Sequence, residues 1–200
     1  MIEVINVEQG TEEWRMARLG IPTASQFSTV LARGNGLMRK KYLYALAGEI
    51  VTGQPMLTYS NEHMERGKAM EEDARNAYAF LSLNYVIQQV GFVKNGTAGY
   101  SPDGFVGNDG LLEIKTALPH IMVEHILKNE FPSEHKAQCQ GGLWVTGREW
   151  IDLVIYWPGM PVFIRRSMRD EEYISKLDTA VDKFNEELGE IVKRVESYSE

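Results

Sequence analysis

Apolar residues recur at steps of three and four over residues 61–81, where Met70, Ala74, Ala77, Tyr78 and Leu81 line one stripe of a long predicted helix. The same spacing returns at the end of the chain. Leu177, Val181, Phe184, Leu188, Ile191 and Val195 predict a helix over 170–195 with an acidic outer face. Nearer the start, residues 11–20 predict a short helix with Thr11 as N-cap and Glu12 and Glu13 in its first turn, where the macrodipole favours them. Helices over 24–31 and 40–51 follow, the second ended by Gly53 and Pro55.

Between these helical stretches the period shortens. Residues 85–93 are rich in β-branched and aromatic side chains, and 100–106 read as a strand broken by Pro102. Gly107-Asn108-Asp109-Gly110 is a turn, and 111–115 alternate as a strand. Helices over 119–128 and 133–145 precede two strands, 150–157 and 161–167, separated by Pro158-Gly159. This order implies an α/β (α+β) fold, a central mixed sheet flanked by helices. With no repeat, low-complexity stretch or linker, residues 1–200 are expected to form one domain with the last helix packed on it.

Composition narrows the chemistry. The 200 residues are 44% hydrophobic and 24% charged, which excludes a disordered or fibrous chain. The one cysteine, Cys139, excludes an intramolecular disulfide, a Cys-ligated iron–sulfur cluster and a Cys-based zinc site. No apolar run approaches the ~18 residues that span a bilayer, and Met1-Ile2-Glu3-Val4 does not begin a signal peptide. A cytoplasmic protein without membrane contact is expected. The net charge of −7 does not exclude nucleic acid, because the acid is concentrated at one end. Residues 167–200 carry 5 Lys/Arg against 10 Asp/Glu, and the first 166 carry 16 against 18. Arg15, Arg18, Arg33, Arg39, Lys40 and Lys41 cluster near the start, and a DNA binder needs a positive face rather than a positive total.

The segment richest in chemistry is Ser101-Pro102-Asp103-Gly104 followed by Leu112-Glu113-Ile114-Lys115. A hairpin turning at Asn108-Asp109, with Gly107 opposite Gly110, sets Gly104 opposite Glu113 and makes Asp103 and Glu113 diagonal neighbours. A turn shifted by one residue would widen that gap. Alternation puts Glu113 and Lys115 on one face, with Leu112 and Ile114 on the other. Two neighbouring carboxylates repel unless a cation lies between them. With hard oxygen donors and no paired histidines, Mg²⁺ or Mn²⁺ is the fitting ion. A metal there could polarise a phosphoryl oxygen and activate water, and Lys115 could orient that water or stabilise the phosphorus. A second Glu-x-Lys, Glu134-His135-Lys136, lies in a polar helix start with no strand carboxylate upstream. His120 and His125 lack metal-binding helix spacing, Gly34-Asn35-Gly36 lacks the lysine of a nucleotide-binding loop, and no serine or cysteine triad stands out.

Asp103 with Glu113-Ile114-Lys115 resembles the PD-(D/E)xK nuclease signature. More of the chain is similar to the family of phage lambda exonuclease, the viral-recombinase or alkaline exonuclease family. The blocks are Trp14 with Arg18-Leu19-Gly20 and Thr23-Ala24-Ser25; Gly67 with Glu71 and Asp73-Ala74-Arg75; Ser101 to Gly104; Leu112 to Lys115; and Ala137-Gln138, Gln140 and Trp144-Val145-Thr146. The resemblance implies a PD-(D/E)xK core and a Mg²⁺-dependent 5′→3′ exonuclease, with Mn²⁺ as a substitute. Such an enzyme digests one strand of double-stranded DNA from its end to mononucleotides. It leaves a 3′ tail for a single-strand annealing protein.

By the same resemblance Asp103, Glu113, the Ile114 carbonyl and Glu71 hold metal, Lys115 assists the water and Gln138 lies near the nucleophile, with Gln140 supporting. Arg18, Ser25, Ser101 and Arg33 are the candidates for the 5′-phosphate and DNA. Arginine offers phosphate a bidentate fork, and Ser25 falls near a predicted helix start, where free amides bind anions. The competing roles are an Arg18–Glu13 ion pair and a solvated Glu71. A ring-shaped homotrimer and a phage or prophage origin are implied by resemblance alone. The alternatives are a structure-specific or restriction-type endonuclease of the same core and a non-catalytic DNA-end-binding module.

Overall fold

Two β-sheets organise the computed structural model, which describes residues 1–32, 36–56, 62–82 and 86–198, with 62–65 and 68 by their backbone alone. The strands in chain order are β1 (Ile2–Ile5), β2 (Ile87–Gln88), β3 (Phe92–Asn95), β4 (Ala98–Tyr100), β5 (Gly104–Val106), β6 (Gly110–Thr116), β7 (Trp150–Tyr156) and β8 (Phe163–Met168). The smaller sheet is antiparallel in the order β1-β3-β4, and the larger runs β2-β5-β6-β7-β8. Within the larger sheet β6 and β7 are parallel, from Gly110 opposite Trp150 to Thr116 opposite Tyr156, and the other pairs are antiparallel. A mixed sheet is therefore present, as the order of elements implied.

The helices are α1 (Glu12–Ala17), α2 (Phe27–Leu31), α3 (Leu37–Thr52), α4 (Glu62–Leu81), α5 (Pro119–Lys128), α6 (Lys136–Thr146) and α7 (Glu171–Glu196). Alternation along β6 sorts them into two layers. Leu111 joins Ile151, Leu153 and Ile155 of β7 in the main core with α2, α6 and α7. Leu112 and Ile114 point the other way, to Val154 and to Ala74 and Tyr78 of α4. The α4 layer is also pinned by polar contacts: Tyr78 donates to buried Asp152 at 2.7 Å, and Arg166 grips the same carboxylate with two bonds of 2.8 Å.

Helix α6 carries Gly141 and Gly142 in its interior, where each weakens a helix by about 1 kcal/mol relative to alanine. Close approach explains both. A Cβ at 141 would lie 2.3 Å from the Phe27 ring, and one at 142 would lie 2.8 Å from the Tyr100 ring. Helix α6 can thus sit low on the sheets, which brings its polar side chains to β6.

Several elements differ from expectation for local reasons. Residue 85 of the expected strand 85–93 lies outside the described residues, and 86–93 divide between β2 and β3 where the chain crosses Val7 at Gly91, at which a Cβ would meet the Val7 carbonyl oxygen at 2.0 Å. The segment 100–106 divides at Pro102 into strands of different sheets. The helix over 24–31 is a 3-10 turn, Ala24–Gln26, followed by the five residues of α2. In α7, Val192 rather than Val195 joins the core, and in α4 Leu81 is exposed. Among the described residues no helix is long and apolar enough to cross a membrane.

Candidate active site

The β5–β6 hairpin closes through a three-residue loop, Gly107 to Asp109, with Val106 opposite Gly110 and Gly104 opposite Leu112. Gly107 takes φ 54°, which a side chain disfavours. The register is shifted by one residue from a turn centred on Asn108-Asp109, yet the two carboxylates stay together. Asp103 stands one residue before β5, its amide donating to the Leu112 carbonyl at 3.2 Å. Its Oδ2 accepts from the Ile114 amide at 2.5 Å. The carboxylate thereby takes a ladder position that a carbonyl would fill. The N–H and C=O of one strand residue lie on the same side, so the Ile114 carbonyl also faces the Asp103 side.

Asp103 and Glu113 line one cavity of about 180 Å³ together with Gln138, Tyr100, Ser101, Arg18 and Ser25. Glu113 is 3% exposed and is held from three directions. Its Oε1 accepts from Gln138 of α6 at 2.5 Å and from the Lys115 ammonium at 2.8 Å, and its Oε2 accepts from the Tyr100 hydroxyl at 2.6 Å. Burial disfavours the charge on Lys115, but the Glu113 carboxylate outweighs it and raises the Lys115 pKa. Without a metal the pair thus favours the charged form of Lys115. The Asp103 carboxyl is pushed well above its usual range, by burial first and then by the charges of Glu113 and Glu71. Burial, then Glu113 and Asp103, also raises the Tyr100 phenol, which stays protonated as a donor.

A carboxyl driven to hold a proton beside a second carboxylate is one that a divalent cation would relieve. Among the described residues no group of three or more His, Cys, Asp and Glu side chains is gathered to hold an ion. The available donors are two carboxylates and the Ile114 carbonyl, a set that leaves positions for water and phosphate, as Mg²⁺ prefers. Glu71 is not brought into the pair. It is bound to Arg75 one turn along α4 and borders an adjoining cleft of about 470 Å³ that also reaches Asp103. Arg75 in turn donates to the Asp103 carbonyl at 3.3 Å.

At the other end of the small cavity, Arg18 follows α1 and donates to Ser101 Oγ at 3.0 Å. Its guanidinium stacks 4.1 Å from the centre of the Trp14 ring, whose indole N–H donates to Ser101 Oγ at 2.9 Å. Among the described residues no carboxylate lies within ion-pair distance of Arg18, so the expected competitor Glu13 does not pair with it. Ser25 lies within the 3-10 turn, 3.3 Å from Thr23 Oγ1, so a hydroxyl pair, rather than a helix N-terminus, faces the cavity. Arg33 lies outside the described residues.

The second Glu-x-Lys is elsewhere: Lys136 pairs with Asp170 at 2.9 Å. Gln140 faces away from the cavity, binding Ser167 at 2.9 Å and the Met168 carbonyl at 2.8 Å. No site role follows from the sequence for Tyr100 or Gln9, and Thr23 enters only as part of the Thr23-Ala24-Ser25 block. Gln9 joins the two cavity walls by donating to the Val90 and Pro102 carbonyls at 2.9 Å each. Its adjacency to the block beginning at Trp14 was the one available signal.

The family described as YqaJ-like viral recombinase domain matches residues 13–149. Among solved structures, the chain is similar to the alkaline exonuclease LHK-Exo from Laribacter hongkongensis: 32% identity, TM-score 0.84, 93% of this chain and 96% of that one. The complex of LHK-Exo with dAMP matches at 33% identity and TM-score 0.85, over 92% and 96% of the two chains. A phage-related exonuclease from Haemophilus somnus 129PT shares the fold at 13% identity, TM-score 0.64, over 88% and 96%. No curated protein matches.

Proposed function

From the premise that the chain belongs to the YqaJ-like viral recombinase family, we propose that it is a divalent-metal-dependent exonuclease acting on linear double-stranded DNA. It removes mononucleotides 5′→3′ from a 5′-phosphorylated end and leaves a 3′ single-stranded tail. The observation that carries this reading is the shared cavity: Arg18, Ser25 and Ser101 line the same 180 Å³ as Asp103, Glu113 and Gln138. An anion anchor beside a carboxylate pair suits a substrate whose terminal phosphate and scissile phosphate are neighbours on one strand. The likeness to LHK-Exo, an alkaline exonuclease seen with the mononucleotide dAMP, supports the same product class.

In this reading Asp103, Glu113 and the Ile114 carbonyl hold Mg²⁺ or Mn²⁺, and Glu71 acts from the adjoining cleft. The ion, when bound, supplies Lewis-acid activation of the phosphodiester and of water. Lys115 keeps a positive charge where negative charge develops on the phosphoryl oxygens, and Gln138 fixes the carboxylate that Lys115 also touches. Arg18 with the two serines receives the 5′-phosphate, and Arg33 is a further candidate for DNA contact. The family resemblance extends the proposal to a ring-shaped homotrimer, an annealing protein that takes over the 3′ tail, and action in the cytoplasm of a phage host.

Linear duplex labelled at one 5′ end or one 3′ end tests the activity. With Mg²⁺ the 5′ label is released as mononucleotide from the start and the 3′ label is retained; without Mg²⁺ neither is released. Covalently closed circular DNA stays intact. Early release of the 3′ label, or cutting of closed circles, would overturn the polarity or the exonuclease reading.

The metal assignment predicts a pH-dependent stability. Because Asp103 is shifted upward in the fold, its contribution is favourable at low pH and is lost as pH rises through the raised value. The metal-free protein is accordingly weakened by Asp103 at alkaline pH, where a cation restores it. At a metal concentration of about 100 times Kd, the melting midpoint at pH 8 is expected to rise by roughly 5–10 °C. The rise is smaller at pH 5, where protons compete. Asp103→Asn raises the metal-free midpoint at pH 8 and removes most of the metal increment. Scanning calorimetry of the two proteins with and without Mn²⁺ reads both effects, and an increment that survives in Asp103→Asn would remove Asp103 from the ligand set.

A further inference from the structure

Tyr100 is the last residue of β4, in the smaller sheet, and its hydroxyl reaches across to Glu113 of β6 in the larger one. It is 1% exposed and its ring lies against α6 at Gly142, where a Cβ would come within 2.8 Å of it. A phenylalanine would fill that space equally well, so packing does not account for the hydroxyl. A buried hydroxyl without an acceptor costs about 1–3 kcal/mol, and here the acceptor is one oxygen of the most enclosed carboxylate in the cavity. Gln138 and Lys115 both take the other oxygen, Oε1. Tyr100 alone among the three holds Oε2. Donors on both oxygens fix the plane of the carboxylate, and Oε2, which takes one donor, keeps a second lone pair for another partner.

We propose that Tyr100 is a positioning residue: its hydroxyl fixes the orientation in which Glu113 presents its oxygens to a divalent cation. The inference rests on the reading of Glu113 as a metal ligand and adds to it a residue from another sheet. Supporting donors of this kind typically change metal affinity by ~10–100-fold when removed.

Tyr100→Phe keeps the ring and removes one oxygen atom. In the DNA-free protein, Mn²⁺ affinity measured by electron paramagnetic resonance is expected to fall by ~10–100-fold. The Mg²⁺ concentration for half-maximal nucleotide release rises in parallel, while the rate at saturating Mg²⁺ stays within a few-fold of wild type. A packing role alone would move the melting midpoint and leave the affinity unchanged. Unchanged or tighter Mn²⁺ binding in Tyr100→Phe, with wild type binding Mn²⁺ and Glu113→Gln losing it, overturns the role of Tyr100 and leaves the metal site standing. A wild-type protein that binds no Mn²⁺ overturns both.

Discussion

Replacing Lys115 by alanine lowers nucleotide release by roughly 10²–10³-fold, the loss typical of removing one preorganised electrostatic contact from a water-poor site. The fold and the binding of duplex ends are expected to stay near wild type. The separation follows from the contacts. Lys115 touches Glu113 Oε1 at 2.8 Å, but Glu113 keeps Tyr100 and Gln138 when the ammonium is gone. Asp103, already inclined to hold a proton, takes up the added repulsion. Catalysis loses the only group among these that carries a permanent positive charge to the carboxylate pair. Arginine is not expected to rescue, since its planar fork is larger than the compact ammonium and spreads its charge. Single-turnover release from labelled duplex, beside a binding assay without metal, separates chemistry from docking. Near wild-type release by Lys115→Ala would remove Lys115 from the reaction.

The parts of this site that were legible in the sequence are those set by period. Strand alternation sets Glu113 with Lys115 and Leu112 and Ile114 behind them, because successive side chains of any strand point to opposite faces. Helical period likewise separates Gln138, which reaches Glu113, from Gln140, which turns toward β8. What the sequence concealed depends on non-local partners or on turn chemistry. Strand β1 is mostly exposed and pairs with residues some ninety positions away, so no local pattern marks it. The hairpin register turned on whether Gly107 was a strand residue or the first residue of a three-residue loop, and Gly-Asn-Asp-Gly permits either. Tyr100 reads as an ordinary buried strand aromatic; only the meeting of two sheets gives its hydroxyl a carboxylate. Ser25 falls near a predicted helix start, and the short 3-10 turn shifts the emphasis from backbone amides to hydroxyls and to Arg18.

Arg18→Ala is expected to erase most of the preference for 5′-phosphorylated over 5′-hydroxyl ends. Burial lowers the pKa of Arg18, with Tyr42 and Glu49 pulling it back, but arginine remains charged at any working pH. That charge is enclosed, stacked on Trp14 and bonded to a neutral serine, with no carboxylate among the described residues at ion-pair distance. An enclosed guanidinium without an acid partner is incompletely compensated, and a phosphate dianion is the partner that would complete it. Hydrogen bonds to charged groups are worth about 1.5–3 kcal/mol, or roughly 10–150-fold in kcat/KM. Lysine at this position restores only part of the preference, because a point charge lacks the fork. The measurement is kcat/KM for one duplex with either terminus. The loss falls on the phosphorylated end, while the hydroxyl end, which makes no such contact, changes little. Equal losses on both ends would mean that Arg18 supports the cavity wall through Ser101 and Trp14 and does not meet the phosphate.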